Sequence, residues 1–471
     1  MRNIFLLIFI FFSFSIAAQE KRSAQYIGWK GPGIRLHTIP GKKFSCTFMI
    51  NNDSVKAFVL DNNSNIVQVF TVRRKKITEK FLGSFIRDGN IYLFLDNADS
   101  PGLHSWLFNI ANRSIKENIV PFEIKKEKII SRLSSKNNFF YFTMNKKASE
   151  FVIYNFIDES HYDTLRYPVE PGMWDKIRNN LFHSSDRDID KTKSLQNPDF
   201  NIENVDMEGE CDVEIAKSPN KSYIHNDTLI LLCNSTRSVT NVFEFDLANK
   251  KFTSRILQHA HNGLNEEPAV DNSFLLDNKL YYVSATTEAL FIQVVDFYSG
   301  NILKEFSTKT GEEISFKNTP ITQEGGGFFG ITRELGKTKQ LLRKMCNGSA
   351  VVTATRDIHS NQVQLLVGSY IEQSNGGGGS AFGPGGSVGF FPTGGFSRAS
   401  WKKSARFKML LNSDTNEHIA GEIPLSINEK IESYTKGINI PGDGENLFAK
   451  NGNYYYVYYD KEKREINIVK F

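Results

Sequence analysis

Four cysteines are scattered through 471 residues, and no two of them stand as a CxxC pair. A structural zinc site therefore lacks its usual ligand spacing, and the dense disulfide framework of small secreted domains is excluded. Neither sign of charge dominates. Lys and Arg number 57 against 52 Asp and Glu, a net of +5, which leaves no electrostatic footprint for nucleic acid. Past the N-terminus no apolar run approaches the ~20 residues that a membrane-spanning helix requires. Wholesale disorder is excluded by a composition of 40% hydrophobic and 23% charged residues.

Catalytic and ligand signatures are scarce as well. Gly385 to Gly389 spells GxSxG, but that motif works only as a strained elbow between a strand and a helix, and here it sits in a glycine tract. Gly330 to Thr338, GITRELGKT, holds five residues where a phosphate loop holds four, and reads as a polar loop. Asp186, Asp188 and Asp190 open like a calcium loop, yet Lys191 and Asn197 stand where an EF-hand places Gly and Glu. The stretch reads as a solvated acidic loop. No cofactor is expected, with calcium the ion that such a cluster would suit. His259 and His261 flank Ala260, with Glu266 and Glu267 behind them. No third ligand is fixed by the spacing, so they read as surface histidines of a loop.

What the chain does contain begins with an address. Arg2 precedes an apolar run from Ile4 to Ile16, and Ala17-Ala18-Gln19 offers a small-residue cleavage site. This predicts a signal peptide over residues 1–18 and a mature chain in the periplasm or outside the cell, not integral to the membrane. Disulfides are permitted there. Cys211 and Cys233 fall in one repeat unit and are the most natural pair, although buried free thiols are the simpler reading.

A unit then recurs. An apolar strand, a polar gap, a second apolar strand closing on Asp or Asn, a turn and a third strand follow one another from Leu280 to Phe306, Leu229 to Leu257 and Phe139 to Val169. Asn109 and Asn155 are 46 residues apart, and Asp246 and Asp296 are 50 apart. A period in the forties built only of strands resembles generic β-propeller blades, without the signature of any named propeller family. The strands are continuously apolar, as expected of a blade covered by a neighbour on each side. Phe and Tyr, 38 and 17 in number, suit such half-buried pleated surfaces.

The resemblance implies an all-β fold with one propeller over residues 19–471. Seven units are expected, near 43–76, 83–122, 129–169, 210–258, 268–308, 343–426 and 434–471, with six or eight as the alternatives. The last unit lacks an outer strand. Ring closure assigns that role to the segment around Tyr26 to Leu36, because an open array would keep raw sheet edges.

Two insertions interrupt the repeat, at about 171–206 and 374–403. The first opens with PGMWDKIRNNLF, in which Trp174, Ile177, Leu181 and Phe182 recur at helical intervals. It is followed by an acidic stretch, net −7 from Asp186 to Glu214. The second holds ten glycines between Gly376 and Gly395, with Phe390, Phe391, Arg398 and Trp401, inside a segment of net +5 from Gln373 to Ser413. Reading VVTATR, VQLLVGSYI, FKMLLN and HIAGEI as the four strands of unit six makes the glycine tract a loop between its second and third strands. The insertion after unit three joins a last strand to a first one. Both then decorate one face of the ring.

The sequence thus predicts an exported, non-enzymatic binding module. Phe390, Phe391, Arg398, Trp401 and Trp174 are the candidate contacts to a protein or glycan, since exposed aromatics with cations suit an anionic or amphipathic partner. Peripheral attachment to the envelope is a weaker extension of the same idea. The alternative is an exported hydrolase or lyase with carboxylates and histidines at the ring axis.

Overall fold

The structure, a computed structural model, describes all residues except 1–18, 30–32, 76–79, 97–101, 125, 136, 175–176, 178–201, 206–209, 226, 235–236, 260–267, 326–331, 358–359 and 373–401. Among the described residues its strands form seven sheets of four or five strands, antiparallel except for one short parallel pair, the blades of an all-β propeller. Blades 1 to 5 occupy residues 35–73, 81–120, 128–168, 203–258 and 270–309 in chain order. Blade 6 lies within 321–412, and blade 7 combines 445–470 with 20–26. The count of seven expected from the sequence is that of the sheets, and the units match them in place except at the outer strands of blades 6 and 7.

The repeated Asp or Asn has a structural cause. It ends the third strand and accepts backbone N–H groups from the turn that follows. Asp246 Oδ1 accepts from the Ala248 and Asn249 amides at 3.0 and 2.8 Å. Asn109 Oδ1 accepts from Asn112 at 2.8 Å, and Asp296 Oδ1 from Ser299 at 2.7 Å. These are Asx turns, and the left-handed residue that completes them is Arg113, Lys250 and Gly300 in turn. In blade 3 the capping residue is Asp158, which accepts from Ser160 and His161, and not Asn155.

Two expectations about edge strands need correction. The ring closes through Glu20–Tyr26, which pairs antiparallel with Glu465–Lys470. The segment expected to close it begins where that strand ends, and Leu36 belongs to the innermost strand of blade 1. In blade 6 the first three strands are those expected: Ser349–Arg356, Gln362–Glu372 and Lys402–Asn412. The fourth position is taken by Ile321–Glu324, which precedes them in sequence, with Arg333–Leu335 outside it. HIAGEI contributes only an isolated bridge between Leu411 and His418.

Packing between blades is continuous around most of the ring. Apolar clusters join blades 1 with 2, 2 with 3, 3 with 4, 4 with 5 and 6, and 7 with 1. Hydrogen bonds between inner strands run alongside. His37 Nε2 and Ser84 Oγ are 3.0 Å apart, the Ser84 amide donates to Ser134 Oγ, and the Thr38 amide donates to Asn446 Oδ1. Among the described residues no such apolar cluster joins blades 6 and 7. The side of blade 7 that turns toward blade 6 packs instead on the helix Ile427–Thr435.

Candidate functional site

On the inner side of the ring, the chain before blade 4 bonds to the inner strands of its neighbours. After the first insertion the chain forms the short strand Glu203–Asn204, parallel to Asn220–His225 on its inner side. Asn204 Oδ1 accepts from Ser131 and Ser222, both at 2.5 Å, and its amide donates to the Arg132 carbonyl at 2.7 Å. The chain then forms the four-residue helix Val213–Ala216, capped by Asp212. Asn272 of blade 5 donates to the Ala216 and Lys217 carbonyls and to the Ala350 carbonyl of blade 6. The described residues of this segment therefore bond to the inner strands of blades 3, 4 and 5, and Asn272 carries the network on to blade 6.

Lys221, on the strand Asn220–His225, is fully buried beside this segment. Its ammonium donates to the Ser218 carbonyl at 2.5 Å, Asn272 Oδ1 at 2.6 Å and the Ser273 carbonyl at 3.0 Å. Three neutral oxygens replace water without supplying a charge, so burial lowers its pKa to about 7. Burial likewise raises Glu203 to about 7, against the pull of Lys217 and Lys221.

Among the described residues, the seam between blades 6 and 7 is the one that no shared apolar cluster closes. Its floor is the helix Ile427–Thr435, which starts at a capping box. Ser426 Oγ accepts from the Glu429 amide at 3.2 Å, and Glu429 Oε2 accepts from the Ser426 amide at 2.7 Å. Ile427 and Ile431 pack on Leu447, Tyr456, Tyr458 and Val469 of blade 7. The other wall is the face of blade 6 that carries Leu366, Arg406 and Lys408. The alternate residues Leu365, Val367, Phe407 and Met409 are buried in the cluster shared with blade 5, as the two-residue period of a strand requires.

Charged side chains cross this seam. Lys408 Nζ lies 2.7 Å from Glu429 Oε2. Burial would raise the Glu429 carboxyl, but the Lys408 ammonium and the helix cap hold it below its ordinary value. Arg406 pairs with both oxygens of Glu324 at 2.7 and 2.6 Å. Glu210 enters from the axial segment, and its Oε2 accepts from the Asn428 amide at 3.3 Å. Burial pushes the Glu210 carboxyl up, overriding Lys408 and the amide. Two chambers of about 270 and 230 Å³ meet here and share Glu210, Leu366, Lys408 and Ser426 in their walls.

The residues singled out in the sequence fall elsewhere. Phe390, Phe391, Arg398 and Trp401 lie outside the described residues, as do Asp186, Asp188, Asp190, His261, Glu266 and Glu267. Residues 171–174 are helical, as expected. Trp174 is 3% exposed, with its ring 5.4 Å from that of Phe151, so the indole is core and not a contact surface. His259 is not a surface histidine either. It is buried, stacked on Tyr282 with ring centroids 3.6 Å apart, and 2.8 Å from Thr240 Oγ1. The four cysteines are free. The GITRELGKT stretch is not all loop: it includes Arg333–Leu335, and its Thr338 opens the helix Thr338–Cys346. Among the described residues no group of three His, Cys, Asp or Glu could hold a metal, and no helix is long and apolar enough to cross a membrane. No local pattern marks the seam, because Glu210, Lys408 and Asn428 come from three separate segments without a shared motif.

No protein-family model matches this chain, and no curated protein matches it. Among solved structures, the lectin SapL1 in complex with alpha methyl fucoside is 8% identical, with a TM-score of 0.25, over 72% of this chain and 90% of that one. Hsv2 of Kluyveromyces lactis is 8% identical, with a TM-score of 0.31, over 95% and 97%. An ACO/RPE65 chimera is 10% identical, with a TM-score of 0.30, over 61% of this chain and 63% of that one. At these scores the likenesses carry no argument about function, and the fold rests on the sheets themselves.

Proposed function

We propose that this protein is an exported propeller that binds a protein or glycan through one decorated face and does not catalyse a reaction. The observation that carries the reading is the order of the strands. The first insertion leaves the outermost strand of blade 3, Tyr162–Pro168, and leads to the inner strands of blade 4. The glycine tract leaves Gln362–Glu372 and returns at Lys402–Asn412, the second and third strands of blade 6. In an antiparallel meander these two kinds of connection share one face of the ring.

The composition of the tract supports a ligand for that face. Phe390, Phe391 and Trp401 offer stacking surfaces beside Arg398 and the basic residues that follow, a combination suited to an acidic glycan or an acidic protein patch. The packing of residues 203–205 and 210–218 on the inner strands favours binding over a reaction in a deep central pocket.

The test uses immobilised protein comprising residues 19–471, and the same protein with 374–401 replaced by a short Gly-Ser turn. Both are offered a panel of acidic and neutral envelope glycans and an envelope protein extract. Tract-dependent retention of one component, abolished by replacing Phe390, Phe391 and Trp401 with Ala, is the expected result. Equal retention by both forms, or none by either, overturns the reading.

A further inference from the structure

We propose that the exposed face of the helix Thr338–Cys346 is a binding platform for a linear acidic polysaccharide. This names the ligand class of the decorated face, and it rests on that face being the binding one.

The helix is held firmly. Leu341, Leu342 and Met345 are buried in the cluster shared by blades 5 and 6, and Thr338 Oγ1 donates to the Glu312 carbonyl at 2.5 Å. The helical period turns Lys339, Gln340 and Arg343 outward, with Asn347 following on the same side, and all four are exposed. The helix leads into Ser349–Arg356, the innermost strand of blade 6, so it enters a first strand from the same face as the first insertion does. It also lies at the root of the glycine tract. A Cβ on Gly348, just past the helix, would stand 2.6 Å from the Tyr370 carbonyl oxygen and 2.7 Å from Ile371 Cγ1. The chain therefore runs hard against the end of Gln362–Glu372, where the tract departs.

The charges on this face are unbalanced. From Arg333 to Ser349 the chain is net +4, with Glu334 its only acid. Elsewhere on blades 5 and 6, Lys304, Arg356, Arg406 and Lys408 each have a carboxylate within 2.8 Å. Lys337, Lys339 and Arg343 form no ion pair among the described residues. Their positions are also unfavourable to the helix. Lys337 stands at the N-cap without a side-chain cap, and the first turn holds no acid, so the positive end of the helix dipole meets cations. Lys339 and Arg343 are four residues apart and repel each other. The helix Ile427–Thr435, by contrast, has a capping box with Glu429 in its first turn. An anionic ligand would relieve each of these terms.

The polar character of the face selects among anions. Among the described residues from 332 to 349 no large apolar side chain is exposed. A membrane surface is held by apolar side chains that insert into it, and a protein interface is built around an apolar or aromatic core. Cations interleaved with the amides of Gln340 and Asn347 suit carboxylates alternating with sugar hydroxyls. Lys339 and Arg343 stand one turn apart along the helix, so they follow a chain that repeats its charge, and the Arg343 guanidinium can take a carboxylate with two parallel bonds.

Isothermal titration of residues 19–471 with a soluble oligogalacturonate tests this, beside a maltodextrin of equal length, polyglutamate and phosphatidylglycerol vesicles. The oligogalacturonate is expected to bind, the maltodextrin to fail, and polyglutamate and the vesicles to bind several-fold more weakly. Replacing Lys337, Lys339 and Arg343 together by Gln should weaken the oligogalacturonate by about tenfold, since each exposed charge contributes a few-fold at most. Arg166→Gln and Lys304→Gln, which remove paired cations elsewhere, should leave the affinity unchanged. Between about 0.1 and 1 M salt, where the screening length falls from about 10 to 3 Å, the parent should lose affinity and the triple variant much less. Circular dichroism verifies folding, and should the triple variant fail to fold, Arg343→Gln alone is read, with a weakening of a few-fold. The form with 374–401 replaced separates the two readings. If it binds oligogalacturonate as tightly as the parent, the tract is no part of this site while the helix platform stands. The helix platform is overturned if oligogalacturonate does not bind, if polyglutamate or the vesicles bind as tightly, or if the folded helix variants keep full affinity.

Discussion

Two residues show how tightly the blades are specified. Gly368 sits in the ladder between Gln362–Glu372 and Lys402–Asn412. A Cβ there would run into the Ala405 carbonyl oxygen and lie 2.7 Å from Arg406 Cα. Those are backbone atoms of the paired strand, so the clash is relieved only by parting the ladder. Gly368→Ala should therefore cost about 2 kcal/mol or more, read as a lowered denaturant midpoint; an unchanged midpoint would show that the ladder yields freely. Lys221 makes a prediction about pH. Its pKa falls from 10.5 to about 7 on folding. Below pH 7 both states carry the charge and the full burial penalty applies. Between 7 and 10.5 the unfolded chain binds more protons than the native one, so stability rises with pH, at most by about 1.4 kcal/mol per unit. Lys221→Met leaves three acceptors without their donor, but that cost does not vary with pH. Stability curves of the two proteins from pH 7 to 9 should therefore diverge in slope; parallel curves would refute the assignment.

Strands and helices are where the sequence was most and least readable. Inner and middle strands such as Phe139–Asn145 are buried on both faces, so their continuous apolar runs announce themselves. Outer strands have one wet face. Glu20–Tyr26 reads EKRSAQY, with no fully buried residue, and nothing in it marks a strand; the apolar residues that follow drew the closure to the wrong place. Ile321–Glu324 is four residues long and pairs with a strand some eighty residues later, a contact that no local pattern encodes. The seam was invisible for the same reason, since Glu210 and Lys408 meet only after the ring has closed. The closing strand still has mechanical consequences. Without residues 19–27, Glu465–Lys470 becomes a raw edge, and an unpaired edge templates association. This truncation should lower the melting temperature by roughly 5 °C or more, given a shift of about 2–4 °C per kcal/mol for domains of 150–250 residues, and should produce oligomers in size-exclusion chromatography. A monomer of unchanged melting temperature would mean that closure is carried by blade packing alone.

Over the whole molecule, the ring and its insertions divide the work. Among the described residues six blade-to-blade interfaces are apolar and support the frame, so the seventh can carry charged side chains without threatening it. The same separation holds for the glycine tract. The strands that flank it stay paired from Gln362↔Asn412 to Glu372↔Lys402. Because that ladder is complete up to the point where the tract departs, the two strands need only a short turn to connect them. Loop length itself contributes slowly, about 0.6 kcal/mol for each doubling, so a shorter connection should if anything stabilise. Replacing 374–401 by a short Gly-Ser turn should therefore preserve the circular dichroism spectrum and leave the melting temperature equal to the parent's or a few degrees above it. A lower melting temperature would show that the tract packs on the blades as part of the frame, and the loss of binding in the same variant could then not be read as the loss of a contact surface.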